Sequence, residues 1–293
     1  MVLVVLPEEP MKNKMLTEAL IEALPYIQKF AGKVIVVKYG GAAMVEEQLK
    51  VSFAQDISLL SHLGMKIVVV HGGGKEISDL AEKLNIETQF VQGKRVTDEK
   101  MMDIVKMVLA GKINKEIVCN LNRQNVKAVG ISGQDGNLLK CRKLFLETGE
   151  DMGWVGEVIQ VNTKILLDMM NDGLIPVIAP IGYDDEGNSY NINADSAAGD
   201  IAAAFPAEKL IYLSDVPGVL IEGERIASLD EETANTMIAN GQITRGMIPK
   251  VHSAFDTLHQ GVKKVHMLDG REVHSLLIEI YTDSGIGTQF VRE

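Results

Sequence analysis

Short apolar runs recur along the chain, separated by stretches in which the apolar residues take helical spacing. Residues 34–37, 66–70, 174–181, 209–213 and 264–268 are rich in valine, isoleucine and leucine. They read as strands buried on both faces. Lys127 opens a shorter strand ending near Ile131. Leu16, Leu20, Leu24 and Ile27 line one face of a helix over residues 13–30, which Pro25 should kink. That stripe is expected to pack on its own domain, with pairing to another subunit as the alternative. Met101, Ile104, Val105 and Val108 form the buried face of another helix, with Thr97 as its expected N-cap and Asp98 and Glu99 in the first turn. Further helices are expected from about Glu46, from Lys75, over 162–172 closed by Gly173, and over 249–260 closed by Gly261. Ser228-Leu229-Asp230-Glu231 has the form of a capping box. Gly223 marks a hairpin, and Gly153-Trp154-Val155-Gly156 reads as a hairpin or loop. Strands alternating with helices predict an α/β chain.

Composition narrows the partners. The 293 residues suffice for two modest domains or one large α/β unit, and 46% are hydrophobic. A net charge of −11 favours neither nucleic acid nor an anionic membrane. No apolar run reaches membrane-spanning length. Cys119 and Cys141 have no metal-type spacing and fit a reducing cytosol, so a cytoplasmic protein is expected.

Three stretches carry candidate chemistry. The strand at 34–37 runs into Lys38-Tyr39-Gly40-Gly41 and then a helix, a layout that brings backbone N–H groups and a mobile cation close to an anion. A turn in which the glycines serve only chain reversal fits that stretch equally well. The layout repeats at once: residues 66–70 lead into His71-Gly72-Gly73-Gly74 and a helix. Two such units side by side aim two glycine loops at one crevice, which favours phosphate. His71-Gly72-Gly73-Gly74 also resembles an esterase oxyanion loop, but the chain has no Gly-x-Ser-x-Gly elbow. P-loop, dinucleotide and His-Arg-Asp signatures are absent too. Arg95, before the helix at Thr97, can grip a carboxylate with two hydrogen bonds, although a surface arginine is the commoner reading. Asn191, Asn193 and Asp195 cluster at the start of a helix of small residues; Asn193 suits its N-cap. Lys250 falls in the first turn of the helix opened by Pro249, where a cation opposes the helix dipole unless an anion binds there.

Lys38–Gly41, His71–Gly74, Gly93-Lys94-Arg95-Val96-Thr97, Asn191–Asp195, Leu213-Ser214-Asp215-Val216-Pro217-Gly218 and Gly246-Met247-Ile248-Pro249-Lys250 occur in this order. Together they resemble the N-acetyl-L-glutamate kinases of the amino acid kinase family, from Val34 to the C-terminus. The resemblance implies a three-layer α-β-α sandwich with an open, mainly parallel sheet. Residues 1–30 would be a kinked regulatory helix, 31–206 a lobe for acetylglutamate, and 207–293 a lobe for ATP. ATP, brought with Mg²⁺ and with no tightly bound cofactor, would phosphorylate the γ-carboxylate of N-acetyl-L-glutamate. Lys38 and Lys250 would flank the transferring phosphoryl group, with Asp195 holding both. Backbone N–H groups of Gly40, Gly41, Gly73 and Gly74 would add hydrogen bonds. Arg95, Asn191 and Asn193 would bind acetylglutamate. Ser214, Asp215, Gly218, Ile243 and Thr244 would lie by the nucleotide. No protein-held metal is expected, and no general base, because the acceptor carboxylate is already ionised.

The ends of the chain resemble the arginine-sensitive, hexameric branch of these kinases. That resemblance implies an L-arginine site made by Tyr26, Lys209, His274, Glu279, Gly285 and Gly287, with Glu279 meeting the arginine's charge. It also implies N-terminal helices that interlace dimers into a hexamer. A PII-type signalling protein is a possible partner.

Overall fold

A computed structural model describes residues 9–146, 149–205, 207–243, 246–282 and 285–292. Its main sheet contains β1 (Val34–Tyr39), β2 (Lys66–His71), β3 (Lys127–Ser132), β4 (Leu174–Ala179), β5 (Lys209–Ser214), β6 (Ser228–Leu229), β7 (Val265–Asp269) and β8 (Thr288–Phe290). The strand order is β6-β8-β7-β5-β1-β2-β4-β3. Every neighbouring pair is parallel except β7 with β8.

Why three layers form is visible along β1. Ile35 and Val37 belong to one core cluster and Val36 to the other. Side chains alternate across a strand, so both sheet faces must be covered. The helices that matter here are α1 (Glu9–Phe30), α2 (Glu47–His62), α3 (Gly74–Lys83), α4 (Ala194–Ala204), α5 (Ile248–His259) and α6 (Ser275–Tyr281). Phe53, Ile57 and Leu60 of α2 and Leu276 and Ile280 of α6 join the cluster of Ile35. Ala198 and Ile201 of α4 and Val251, Phe255 and Leu258 of α5 join that of Val36. Each fully buried valine or isoleucine of the central strands contributes about 1.5–3 kcal/mol. Beside the sheet, Leu139–Phe145, Asp151–Val161, Ile181–Tyr183 and Ser189–Asn191 close a small barrel.

Several local expectations are corrected. Asp98, not Thr97, caps the helix Glu99–Lys106, its carboxylate accepting from the Met101 N–H. Thr97 is buried instead, and its hydroxyl donates to the Arg95 carbonyl. Ser228 and Leu229 are in β6, so Asp230 caps the helix Glu231–Ala239. The run over 174–181 breaks at Pro180 into two strands. Gly153-Trp154-Val155-Gly156 lies inside the strand Asp151–Val161. Its glycines serve close approach: a side chain at Gly153 would meet the Thr97 carbonyl, and one at Gly156 would meet Tyr190. Helix α1 starts before Asn13 and includes Pro25. Most of its stripe does not pack on the chain itself: Leu16, Leu20 and Leu24 are exposed, and only Ile27 is half-buried. The helix Glu99–Lys106 passes through a π-helical stretch, Met107–Ile113, into Asn114–Asn122, a feature without a sequence signal. No described helix is long and apolar enough to cross a membrane.

Candidate active site

The two glycine loops lie side by side because β1 and β2 are adjacent and in register, Tyr39 opposite His71. The Gly72 N–H donates to the Tyr39 carbonyl at 2.8 Å, tying one loop to the other. Gly73 is the N-cap of α3 and offers no capping side chain. A side chain there would run into Leu109 and Ile113 of the π-helical stretch. Glycine thus keeps the start of α3 uncapped, and its free N–H groups suit an anion.

One cleft of about 660 Å³ is lined by Lys38, Gly73, Gly74, Arg95, Asn191, Asn193, Asp195 and Lys250, among others. Lys38 Nζ lies 2.9 Å from Asp195 Oδ1. Asn193 caps α4, accepting from the Asp195 and Ser196 N–H groups, and this sets Asp195 in the first turn. Asp195 does not hold both lysines. Lys250 Nζ donates instead to Ser214 Oγ at 2.6 Å and lies 3.6 Å from Asp215 Oδ1. The carboxylate of Asp215 offsets the clash of Lys250 with the α5 dipole. Burial raises the Asp215 pKa, but its hydrogen bonds and Lys250 outweigh that and leave it lowered.

Arg95 is not a surface arginine. It stands in the two-residue strand Lys94–Arg95, paired with Phe90–Val91, and is 7% exposed. Its guanidinium lies over the Phe90 ring, 4.7 Å from the centroid. Nη2 donates to the Gly74 carbonyl at 2.7 Å and to Ser78 Oγ at 2.9 Å. Nη1 is buried without a partner among the described residues. An unmatched buried cationic donor is costly, and an anionic ligand would relieve it. Asn191 Nδ2 donates to Thr97 Oγ1 at 3.0 Å, bracing the same wall.

The nucleotide candidates are less tightly gathered. Ser214 shares a small cavity with Lys38, Asp195, Tyr212 and Lys250. A side chain at Gly40 would press on the Lys38 ammonium, and one at Gly41 would lie 3.6 Å from the Asp215 amide nitrogen. Gly218, with φ of 128°, sits against Thr288, and Ile243 is buried; neither lines the cleft. Thr244 lies outside the described residues.

Of the C-terminal set, Lys209, Glu279, Gly285 and Gly287 come together. One Glu279 oxygen accepts from the Ile286 and Gly287 N–H groups at 2.9 and 3.1 Å, and the other meets His266 Nδ1. Lys209 Nζ sits over the Phe30 ring at 5.1 Å, and burial lowers its pKa to about 8. Tyr26 packs against the core cluster that contains Leu276 and Ile280 of α6. His274 is elsewhere: it precedes α6, and its Nδ1 lies 2.6 Å from Asp56 Oδ1 of α2. His266, hidden in the apolar strand β7, gave no signal in the sequence.

The cleft also holds three acids that sequence reading missed, Glu157, Asp200 and Asp256. Burial, then the nearby Glu157, raises the Asp200 pKa to about 6. A carboxyl raised above its unfolded value near 3.9 costs stability above pH 6 and nothing below about pH 4. Asp200→Asn is therefore expected to raise thermal stability at pH 8, by at most about 2–3 kcal/mol, and to leave it unchanged at pH 4. Equal unfolding curves at pH 8 would remove the burial argument.

No three histidine, cysteine, aspartate or glutamate side chains converge on a possible ion among the described residues.

A family model described as the amino acid kinase family matches residues 33–269. The chain belongs to the amino acid kinase family. It is 50% identical to an acetylglutamate kinase of Aquifex aeolicus over 96% of this chain and 100% of the relative. With an acetylglutamate kinase of Pelodictyon phaeoclathratiforme it shares 54% identity over 94% of this chain and 90% of that one. Among solved structures it resembles an N-acetylglutamate synthase of Neisseria gonorrhoeae complexed with coenzyme A and N-acetyl-glutamate. That likeness has a TM-score of 0.86 at 28% identity and covers 94% of this chain and 63% of the synthase. A carbamate kinase of Giardia lamblia bound to AMP-PNP, at 14% identity and a TM-score of 0.64 over 90% of this chain and 100% of that one, shares the fold.

Proposed function

We propose that this chain transfers the γ-phosphoryl group of ATP to the γ-carboxylate of N-acetyl-L-glutamate, in arginine biosynthesis. The observation that carries the reading is Arg95: a buried guanidinium with an unmatched donor in the same cleft as Lys38, Lys250 and the α3 N-terminus. The full-length relatives of that activity support it. The lobe of residues 31–206 would hold acetylglutamate, with Arg95, Asn191 and Asn193 around it. The lobe of residues 207–293 would hold ATP near Ser214, Asp215 and Gly218.

Lys38 and Lys250 would sit on either side of the phosphoryl group and offset its charge. The N–H groups of Gly40, Gly41, Gly73 and Gly74 would take its oxygens. Asp195 would keep Lys38 extended into the cleft. Mg²⁺ on the nucleotide would supply charge neutralisation at the phosphates. The acceptor is already an anion at neutral pH, so positioning and electrostatics suffice. The test is ADP release from Mg-ATP with N-acetyl-L-glutamate, L-glutamate, L-aspartate and UMP in parallel. Turnover with acetylglutamate alone is the expected result. Turnover with another acceptor would mean that Arg95 and Asn191 serve a different substrate.

Regulation by L-arginine belongs to the same reading. Lys209, Glu279, Gly285 and Gly287, with Tyr26 from α1, would form its site. His274 would contribute only after leaving Asp56. L-arginine in the ADP-release assay is expected to suppress turnover; activity that ignores it would discard the site. The exposed Met15, Leu16, Leu20 and Ile21 of α1 support a helix that pairs with its counterpart in a hexamer. Deleting residues 1–28 is expected to leave a dimer on a sizing column. A truncated chain that stays hexameric would sink that role.

A further inference from the structure

His71 stands directly before the second glycine loop, and none of the roles above uses it. It is fully buried, and burial, with the Lys115 charge adding to it, lowers its pKa to about 4. The ring is therefore neutral near pH 7, and its neighbours decide which nitrogen carries the proton. An ammonium group can only donate. Lys115 Nζ lies 3.1 Å from Asn114 Oδ1, which fixes the direction of that amide. Asn114 Nδ2 then donates to the Val177 carbonyl at 2.9 Å and faces His71 Nε2 at 3.3 Å. Nε2 is the acceptor, so Nδ1 holds the hydrogen and donates to the Gly72 carbonyl at 2.8 Å.

A trans peptide is planar, so the Gly72 carbonyl and the Gly73 N–H point in opposite directions. Fixing one fixes the other. The preceding peptide is also held, because the Gly72 N–H donates to Tyr39. The Gly73 N–H has no hydrogen bond among the described residues, and Gly73 lines the cleft. We propose that His71, kept in its Nδ1–H form by Asn114, is a positioning residue that turns the Gly73 amide toward the transferring phosphoryl group. The proposal rests on the kinase reading above. The hydrogen bond to Gly72 also polarises this peptide and strengthens its N–H as a donor. Two other features serve the same network. Gly130 of β3 has no side chain where one would strike Asn114. The π-helical stretch Met107–Ile113 ends directly before Asn114, in keeping with the use of such stretches at functional sites.

The test pairs ring tautomer with kinetics. Nitrogen NMR of the wild-type chain, with the His71 signal assigned by its loss in a variant, is expected to show a protonated Nδ1 and a bare Nε2. His71→Leu is expected to lower kcat roughly 10–100-fold, the size typical for an outer partner of a functional group. KM for both substrates should stay near wild type. His71→Asn keeps an N–H donor at the δ position and should recover most of the rate. An Nε2–H ring would overturn the proposal even if His71→Leu failed to fold. So would equal losses in the two variants, or a loss confined to KM. A wild-type chain with the Nδ1–H ring but no turnover of acetylglutamate would overturn the kinase reading and the proposal with it. Turnover with an Nε2–H ring would overturn the proposal alone.

Discussion

Lys38→Ala lowers kcat by roughly 10²–10³-fold, the cost typical of removing one preorganised group from developing transition-state charge. The lysine sits at the carboxyl end of the central strand β1, where strand packing fixes its backbone and Asp195 fixes its head. Truncation removes a cation from a cleft whose anionic ligands bring several negative charges together. It also leaves Asp195 unpaired beside them, which adds repulsion. Fold stability should change little, because Lys38 is at the strand end and outside both core clusters. Steady-state turnover with acetylglutamate, beside a thermal unfolding curve, checks this. A variant that keeps more than a tenth of the wild-type kcat would place the transferring group away from Lys38.

Arg95→Ala carries the opposite signature. Two hydrogen bonds from a guanidinium to a carboxylate are together worth about 3 kcal/mol, or roughly a hundredfold in apparent affinity. The expected result is a rise of that order in KM for acetylglutamate, with KM for ATP unchanged and kcat less affected. Arg95→Lys should recover little, because a lysine lacks the planar fork. One secondary effect has to be separated. Arg95 also ties down Gly74 and Ser78 at the start of α3, so a parallel rise in KM for ATP would mean that the loop itself had moved. Unchanged affinity for acetylglutamate would remove Arg95 from the pocket.

The parts of this cleft that were legible are those with a local signal. Apolar runs ending in Lys38 or His71 and followed by glycines read as strands feeding loops, and they are adjacent strands in the sheet. Asn193 read as an N-cap and is one, so the placement of Asp195 followed. The small residues of that helix let α5 come near, with Gly199 of α4 facing the Thr257 side chain closely. What stayed hidden depends on contacts between distant residues. Asn114 and His71 are 43 positions apart and meet through a helix whose local winding departs from the 3.6 period. His266 lies in a strand that reads as plain core, and its partner Glu279 is on α6. The partner of Lys250 was misassigned for a different reason. The resemblance implied Asp195 for both lysines, but a long side chain can turn to any nearby acceptor, and here Lys250 meets Ser214 and Asp215.

Strands β1 and β5 pair without a break from Ile35 opposite Lys209 to Lys38 opposite Tyr212. The first strand carries one cleft lysine, and the second ends in the serine that anchors the other. The two cations are thus gauged against each other by a backbone ladder with a strand spacing near 4.8 Å. A hinge between these strands would have to tear that ladder, so the spacing of the backbone at Lys38 from that at Ser214 is a fixed dimension of the fold. Tolerance for ligands of different length must lie in the helices and loops beyond the strand ends. A substitution that strains the β1–β5 register should therefore be felt first as a miscalibrated gap, with turnover lost while the chain is still folded.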